Sequence, residues 1–307
     1  MARASADLDP RIARLASTSL CGQRLRRSQI ADIQEIVTSL PLLSRTELGH
    51  TVCQHLGWQT PRNSNRIQLA MRVLEELERL SILTLPARQG PGRGRQAPLS
   101  LGQRSAPQAP LEGPLAQFEP LRWRLVSERA EAGLWNEFLE RYHPLGYRQP
   151  IGCRLRYFLE DRQQRLLGCL LYDFAARYLP VRDRWIGWQD QPRRPLERVV
   201  RQARFLLFPW VRVKCLASKV LGLSLRQLAN DWQQQHGVRP VLAETYVSQP
   251  YAGTCYRASN WHYLGQTQAR GAMGAVPAKT PKAIFVYPLQ RDWQAILLAP
   301  QRPARSR

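Results

Sequence analysis

One stretch decides how this chain can be divided. Arg88-Gln89-Gly90-Pro91-Gly92-Arg93-Gly94-Arg95 puts three glycines and a proline into eight residues and carries no acid. Glycine loses the most backbone entropy on ordering and proline removes a donor, so regular structure does not cross such a stretch. Residues 96–117 behind it are rich in Pro, Gln, Ala and Gly and read as an interdomain linker. The expected organisation is a basic tail at 1–25, a first domain at 26–95, a linker at 96–120, a larger domain at 121–290 and a tail at 291–307. A length of 307 residues accommodates two domains of ordinary size.

The first domain reads as three helices. Ile30, Ile33, Ile36, Val37 and Leu40 recur at helical spacing from Ser28, and Pro41 ends the run. Ser44-Arg45-Thr46-Glu47 has the form of a capping box, with Leu48, Val52 and Leu56 on one face behind it. A third helix is predicted over about 67–80, and a short strand over 82–85. Helices, a short strand and a basic Gly-rich excursion match a winged helix-turn-helix, in which the third helix enters the major groove. Arg66 and Arg72 then lie on or beside that helix, and Arg93 and Arg95 on the wing.

Charge points to the same partner. There are 45 Lys plus Arg against 23 Asp plus Glu, a formal net charge of +22. A chain this basic repels itself unless anions neutralise it, and nucleic-acid phosphate is the common anion. An arginine-rich surface from a GC-rich genome is the competing reading. The six cysteines form no CxxC pair and no zinc-like pattern, so free thiols of a reducing compartment are expected. No apolar run opens the chain as a signal peptide or reaches membrane-helix length, so the expectation is a cytoplasmic protein with no membrane partner.

The second domain reads as mixed α/β, giving an α+β chain overall. A helix is expected over 134–142, then a hairpin of strands at 154–159 and 166–172, with 160–164 as its turn. Residues 185–196 read as loop, 196–202 as helical and 204–213 as a buried strand. A long helix over 216–235 ends at Gly237. Strands at 241–247 and 283–287 bracket a short helix within 253–260.

Several segments then carry a family likeness. They are Arg182-Asp183-Arg184-Trp185-Ile186-Gly187-Trp188, Arg204-Phe205-Leu206-Leu207-Phe208-Pro209-Trp210-Val211, Leu216-Ala217-Ser218, Glu244-Thr245-Tyr246-Val247, Gly253-Thr254-Cys255-Tyr256-Arg257-Ala258-Ser259-Asn260-Trp261 and Leu264-Gly265-Gln266-Thr267. In these the chain resembles the DruA family of the Druantia anti-phage system, whose relatives also occur in transposon-like settings. The resemblance implies a role in phage defence or mobile-element biology, on DNA, beside other defence proteins including a helicase. The chain departs from the family wording at Val200-Arg201-Gln202-Ala203 and at Ala269-Arg270-Gly271. The element order of the second domain also resembles the GNAT acyltransferase fold.

Three chemistries follow as alternatives. A DNA-binding protein would use Arg66, Arg72, Arg93, Arg95, Arg201, Arg204, Arg212 and Lys214 on phosphate. A Mg²⁺-dependent nuclease or transposase needs converging carboxylates, for which Asp173, Asp183, Asp190 and Glu244 are candidates. Ion pairing of Asp183 and Glu244 with nearby arginines is the plainer role for both. A GNAT-like acyltransferase would use acetyl-CoA, with Tyr256 as general acid and Glu244 as base. Its diphosphate loop would fall at residues 212–218, which lack a glycine. His143 is a candidate catalytic imidazole or a structural group at a helix end. Tyr251 or Tyr256 as a nucleophile on DNA has no neighbouring His pair. Trp185 and Trp188 offer ring faces to bases or to a core.

Overall fold

The computed structural model describes residues 19–39, 43–56, 58, 66–87, 99–148, 153–176, 179–189, 194–267 and 280–299. The chain divides into two compact units, residues 1–95 and 96–307. Arg93, Arg95, Asp190 and the segment 269–271 lie outside the described residues.

The first unit opens with a hairpin where the sequence suggests a patternless tail. β1 (Ser19–Leu20) pairs with β2 (Gln23–Arg24), and Cys21 and Gly22 both take positive φ in the two-residue turn between them. Three helices follow: α1 (Arg27–Ser39), α2 (Arg45–Leu56) and α3 (Ile67–Arg79). The expected capping box forms. The Ser44 backbone N–H and hydroxyl both donate to the Glu47 carboxylate, and the Glu47 N–H donates back to the Ser44 hydroxyl. Ile33, Ile36, Val52, Val73, Leu74 and Leu77 are fully enclosed between the helices. The strand expected at 82–85 is extended chain without a strand partner among the described residues. Side chains satisfy its backbone instead: the Gln34 amide donates to the Ile82 carbonyl, and the Leu85 N–H donates to Glu78.

The second unit is built on a seven-stranded mixed sheet. Its strands are β4 (Arg122–Leu125), β5 (Leu155–Glu160), β6 (Leu166–Phe174), β7 (Val199–Leu207), β9 (Leu242–Ser248), β10 (His262–Gln266) and β11 (Lys282–Pro288). The order across the sheet is β10-β11-β9-β7-β6-β5-β4. Only β7 and β9 pair in parallel within this sheet, joined by the long helix α6 (Leu216–His236). Parallel neighbours need such a crossover because a tight turn cannot reverse the chain far enough. Gly237 closes α6 in the left-handed region, as expected of a C-cap glycine. The short helix α7 (Thr254–Arg257) stands between β9 and β10.

Two corrections concern the margins. The sequence suggests a linker up to residue 120, yet residues 99–120 pack on this unit. β3 (Leu111–Glu112) pairs with β8 (Val211–Arg212), Phe118 is buried, and Glu137 accepts from Gly102 and Ser105. Likewise the expected tail after 290 contains α8 (Trp293–Leu298), whose Leu297 is buried and accepts the Trp188 indole N–H. Residues 196–198 form a single turn, and β7 begins at Val199.

One face of the sheet packs on α6, through Val220, Leu221, Leu228 and Trp232 against Tyr172, Val200 and Phe285. The other face carries two separate apolar patches. α4 (Arg129–Tyr142) brings Trp135 and Phe138 onto Phe158, Phe208 and Trp210. α5 (Pro180–Ile186) and α8 cover Val199, Leu242 and Val286 at the other end. β6 and β7 are out of step by one residue. Leu171 pairs with Arg204 and Tyr172 with Gln202, so Ala203 bulges from the ladder.

The close fit of β6 on β7 predicts a sharp response at Gly168. A Cβ there would sit 2.3 Å from the Leu206 carbonyl oxygen, which is backbone and cannot swing aside. Gly168→Ala should lower urea-unfolding stability by about 1–3 kcal/mol, the usual range for overpacking. Gly133→Ala, in α4 with no neighbour within 4 Å of the new methyl, should raise it by up to about 1 kcal/mol.

Candidate functional site

The seam between the two apolar patches is where the charged side chains gather. Arg182 on α5 is fully buried, with a relative exposure of 0%. Its Nη1 donates to Glu244 Oε2 at 2.8 Å and to the Ala176 carbonyl at 2.7 Å. Its Nε and Nη2 donate to Asp183 Oδ1 at 2.9 and 2.6 Å. Arg194 reaches the other Asp183 oxygen at 2.9 Å. The second Glu244 oxygen accepts from the Ala176 N–H and from the Tyr246 hydroxyl. Burial opposes the charge on Arg182, but Glu244 and Asp183 outweigh it and raise the guanidinium pKa.

Next along the seam, Arg201 donates through Nε and Nη2 to Asp173 at 2.8 and 2.7 Å. Arg201 and Arg204 are three residues apart, which in a regular strand would place them on opposite faces. The Ala203 bulge corrects the phase, so both face the seam. Arg204 is half-buried and donates to the Ala203 carbonyl, and its Nε is buried without an acceptor. No carboxylate is paired with it among the described residues. Burial foremost, then the Arg201 charge, lowers its pKa, Asp173 partly offsets this, and Arg148 lowers it further. His143, at the end of α4, accepts the Leu145 N–H on Nδ1. Burial first and Arg204 second push its pKa down to about 4, so the imidazole is neutral at pH 7.

The seam thus unites Asp173, Asp183, Arg194, Arg201 and Glu244, with Arg204 and His143 alongside. All three carboxylates are held by arginine. Among the described residues, no three His, Cys, Asp or Glu side chains form a metal-holding group. Tyr256 lies elsewhere. It is buried on the α6 face of the sheet, stacked on Phe285 and edge-on to Trp261. Glu244 points to the opposite face, so the acid and base envisaged for acyl transfer are not brought together. Burial drives the Tyr256 hydroxyl pKa upward. Trp188 is a core residue under Arg182, and Trp185 stacks on Trp293 at 4.4 Å. Arg212 pairs with Glu112, while Lys214, Arg66 and Arg72 are exposed.

The family model of Druantia protein DruA matches residues 76–279, about two-thirds of the chain. The chain belongs to the DruA family. No curated protein matches it. Among solved structures, spermidine/spermine N-acetyltransferase SpeG from Vibrio cholerae in complex with manganese ions is similar at 12% identity and a TM-score of 0.36, covering 55% of this chain and 92% of that one. Aminoglycoside acetyltransferase AAC(6')-Ib in complex with coenzyme A and kanamycin is similar at 15% identity and a TM-score of 0.36, covering 55% and 94%. Superposition this loose assigns neither fold nor activity.

Sequence reasoning singled out Glu244, Asp183, Arg201, Arg204 and His143, and missed Arg182, Tyr246 and Arg148 as parts of one site. The adjacent Arg182-Asp183 pair within a family segment was the available signal. Removing either member of the buried set should be felt at once. Arg182→Met leaves Glu244 buried without its cation and should cost about 3–5 kcal/mol in denaturant unfolding. His143 has a folded pKa below the unfolded value of about 6.5, so the unfolded chain takes up the proton first. The stabilisation is whole above pH 6.5 and is lost as pH falls toward 4. The urea midpoint should therefore drop between about pH 6.5 and 5, and His143→Asn should flatten that slope.

Proposed function

We propose that this chain is the nucleic-acid-engaging component of a Druantia-type anti-phage system, and that DNA phosphate docks at the seam against Arg204, Arg201 and Arg148. The observation that carries the reading is Arg204: a half-buried guanidinium, crowded by two like charges, with no carboxylate to neutralise it among the described residues. A buried cation without a counter-charge is costly, and a phosphate oxygen supplies both the missing charge and the missing acceptor. The family supports the defence context, and the +22 net charge supports a polyanionic partner. In the first unit, three helices with Arg66 and Arg72 exposed on or beside α3 support a helix-turn-helix contact to the same DNA. The order hairpin, β7, α6, β9, α7, β10, β11 around one parallel pair supports a GNAT-like scaffold for the seam. Acyl transfer is no part of the proposal, because Tyr256 and Glu244 face opposite sides of the sheet.

Fluorescence anisotropy on labelled duplex DNA tests this. Binding should weaken steeply from about 50 to 200 mM salt. Arg204→Ala should lower affinity and reduce the slope of log K against log salt by about 1, as expected when the protein neutralises one phosphate fewer. Arg66→Ala with Arg72→Ala should lower the slope separately. Salt-independent binding, or an Arg204→Ala slope equal to the parent's, refutes the seam as the DNA-docking surface.

A further inference from the structure

A second feature lies away from the seam. A groove of about 690 Å³ runs between α6, the turn at 258–260 and the chain leaving β11. Arg226 from α6, Arg239 from the loop behind it and Arg291 from the turn before α8 all line it, and no acidic side chain does. None of the three is paired with a carboxylate among the described residues. Arg239 is the most telling. Its Nη1 is held by Asn230 Oδ1 at 2.8 Å and by Gln233 Oε1 at 3.1 Å. Both acceptors are neutral, so the guanidinium is fixed in place while its charge stays uncompensated. The remaining walls are different in kind. Tyr287 and Trp293 offer ring surface, and Trp293 is steadied by its stack on Trp185. Asn260, set in the left-handed region at φ 64°, adds a carboxamide from a turn pinned by backbone bonds.

We infer that this groove binds a nucleoside polyphosphate, free or as part of a coenzyme. Three arginines from three elements suit a chain of phosphates, which spreads negative charge over several ångströms. Aromatic walls beside them suit a flat base. The volume fits one small ligand and lies within the usual range for such sites. The inference stands independently of DNA docking at the seam, since no side chain is shared between the two.

Calorimetric titration of the full chain tests it with four probes: ATP, coenzyme A, adenosine and inorganic pyrophosphate. ATP or coenzyme A should bind, and the tighter of the two identifies the source. Adenosine should fail to bind, and pyrophosphate should bind at least about tenfold more weakly than the better nucleotide, the scale of one stacked ring. Arg226→Gln with Arg291→Gln should weaken nucleotide binding at least about tenfold, as expected for charge-assisted bonds to phosphate. Both side chains are exposed, and an unchanged thermal midpoint will show that the fold is kept. Arg239→Gln serves as a second variant with the same expected direction. Arg204→Ala should leave nucleotide binding unchanged, which separates this inference from the seam proposal. Binding of neither nucleotide, affinity unaltered in the arginine variants, or pyrophosphate binding as tightly as ATP overturns it. So does a pair variant that loses DNA binding while wild type binds no nucleotide, for the groove is then part of a DNA track.

Discussion

The second unit depends on the contact between Arg182 and Glu244. Neither side chain touches solvent, and each would carry a large desolvation penalty alone. Four N–H groups of Arg182 are used, on Glu244, Asp183 and the Ala176 carbonyl. That one guanidinium ties the exit of β6, the short helix α5 and the central strand β9 into a fixed arrangement. Losing either partner of such a pair leaves an uncompensated charge in the interior. Here the pair fixes the wall against which Arg201 and Arg204 stand, and so sets the geometry of the seam.

Several acids are held in ion pairs within the units: Glu160 with Arg122 and Arg124, Asp161 with Arg165, Asp173 with Arg201, Glu78 with Arg45. The chain as a whole keeps a surplus of positive charge, +22 in formal terms. Membership of the DruA family suggests a setting in phage defence. Arg66, Arg72 and Arg226 are exposed and share no acid among the described residues.

Much of the fold was legible where local rules act. The capping box at Ser44–Glu47, the apolar stripe of α3 and the Gly237 cap each follow from residues within one turn of one another. Elements decided by distant partners were not legible. The 99–120 segment has a linker's composition, yet Phe118 and Leu111 are captured by strands far along the chain. α8 is short and gains its place from Trp188 and Trp185 over a hundred residues earlier. The site was half legible for a similar reason. Arg201, Arg204 and Glu244 were visible as charges in strands, but which face each would take depends on the pairing of β6 with β7. Tyr256 looked available for chemistry because burial behind Phe285 leaves no mark on its neighbours in sequence.

The single unpaired residue at Ala203 acts as a parity switch for β7. Upstream of it odd-numbered side chains look toward the charged seam, and downstream even-numbered ones do. Deleting Ala203 would leave Arg204 next to Gln202 in a regular ladder, with Arg204 and Leu206 still toward the seam and Phe205 and Leu207 still in the α6 layer; straightening the bulge while keeping the residue would instead turn the later half of the strand over. The extra residue is absorbed locally, as a kink that leaves the layers on either side of it matched. Both packed layers are thus kept in phase across a strand that carries one residue more than its neighbour.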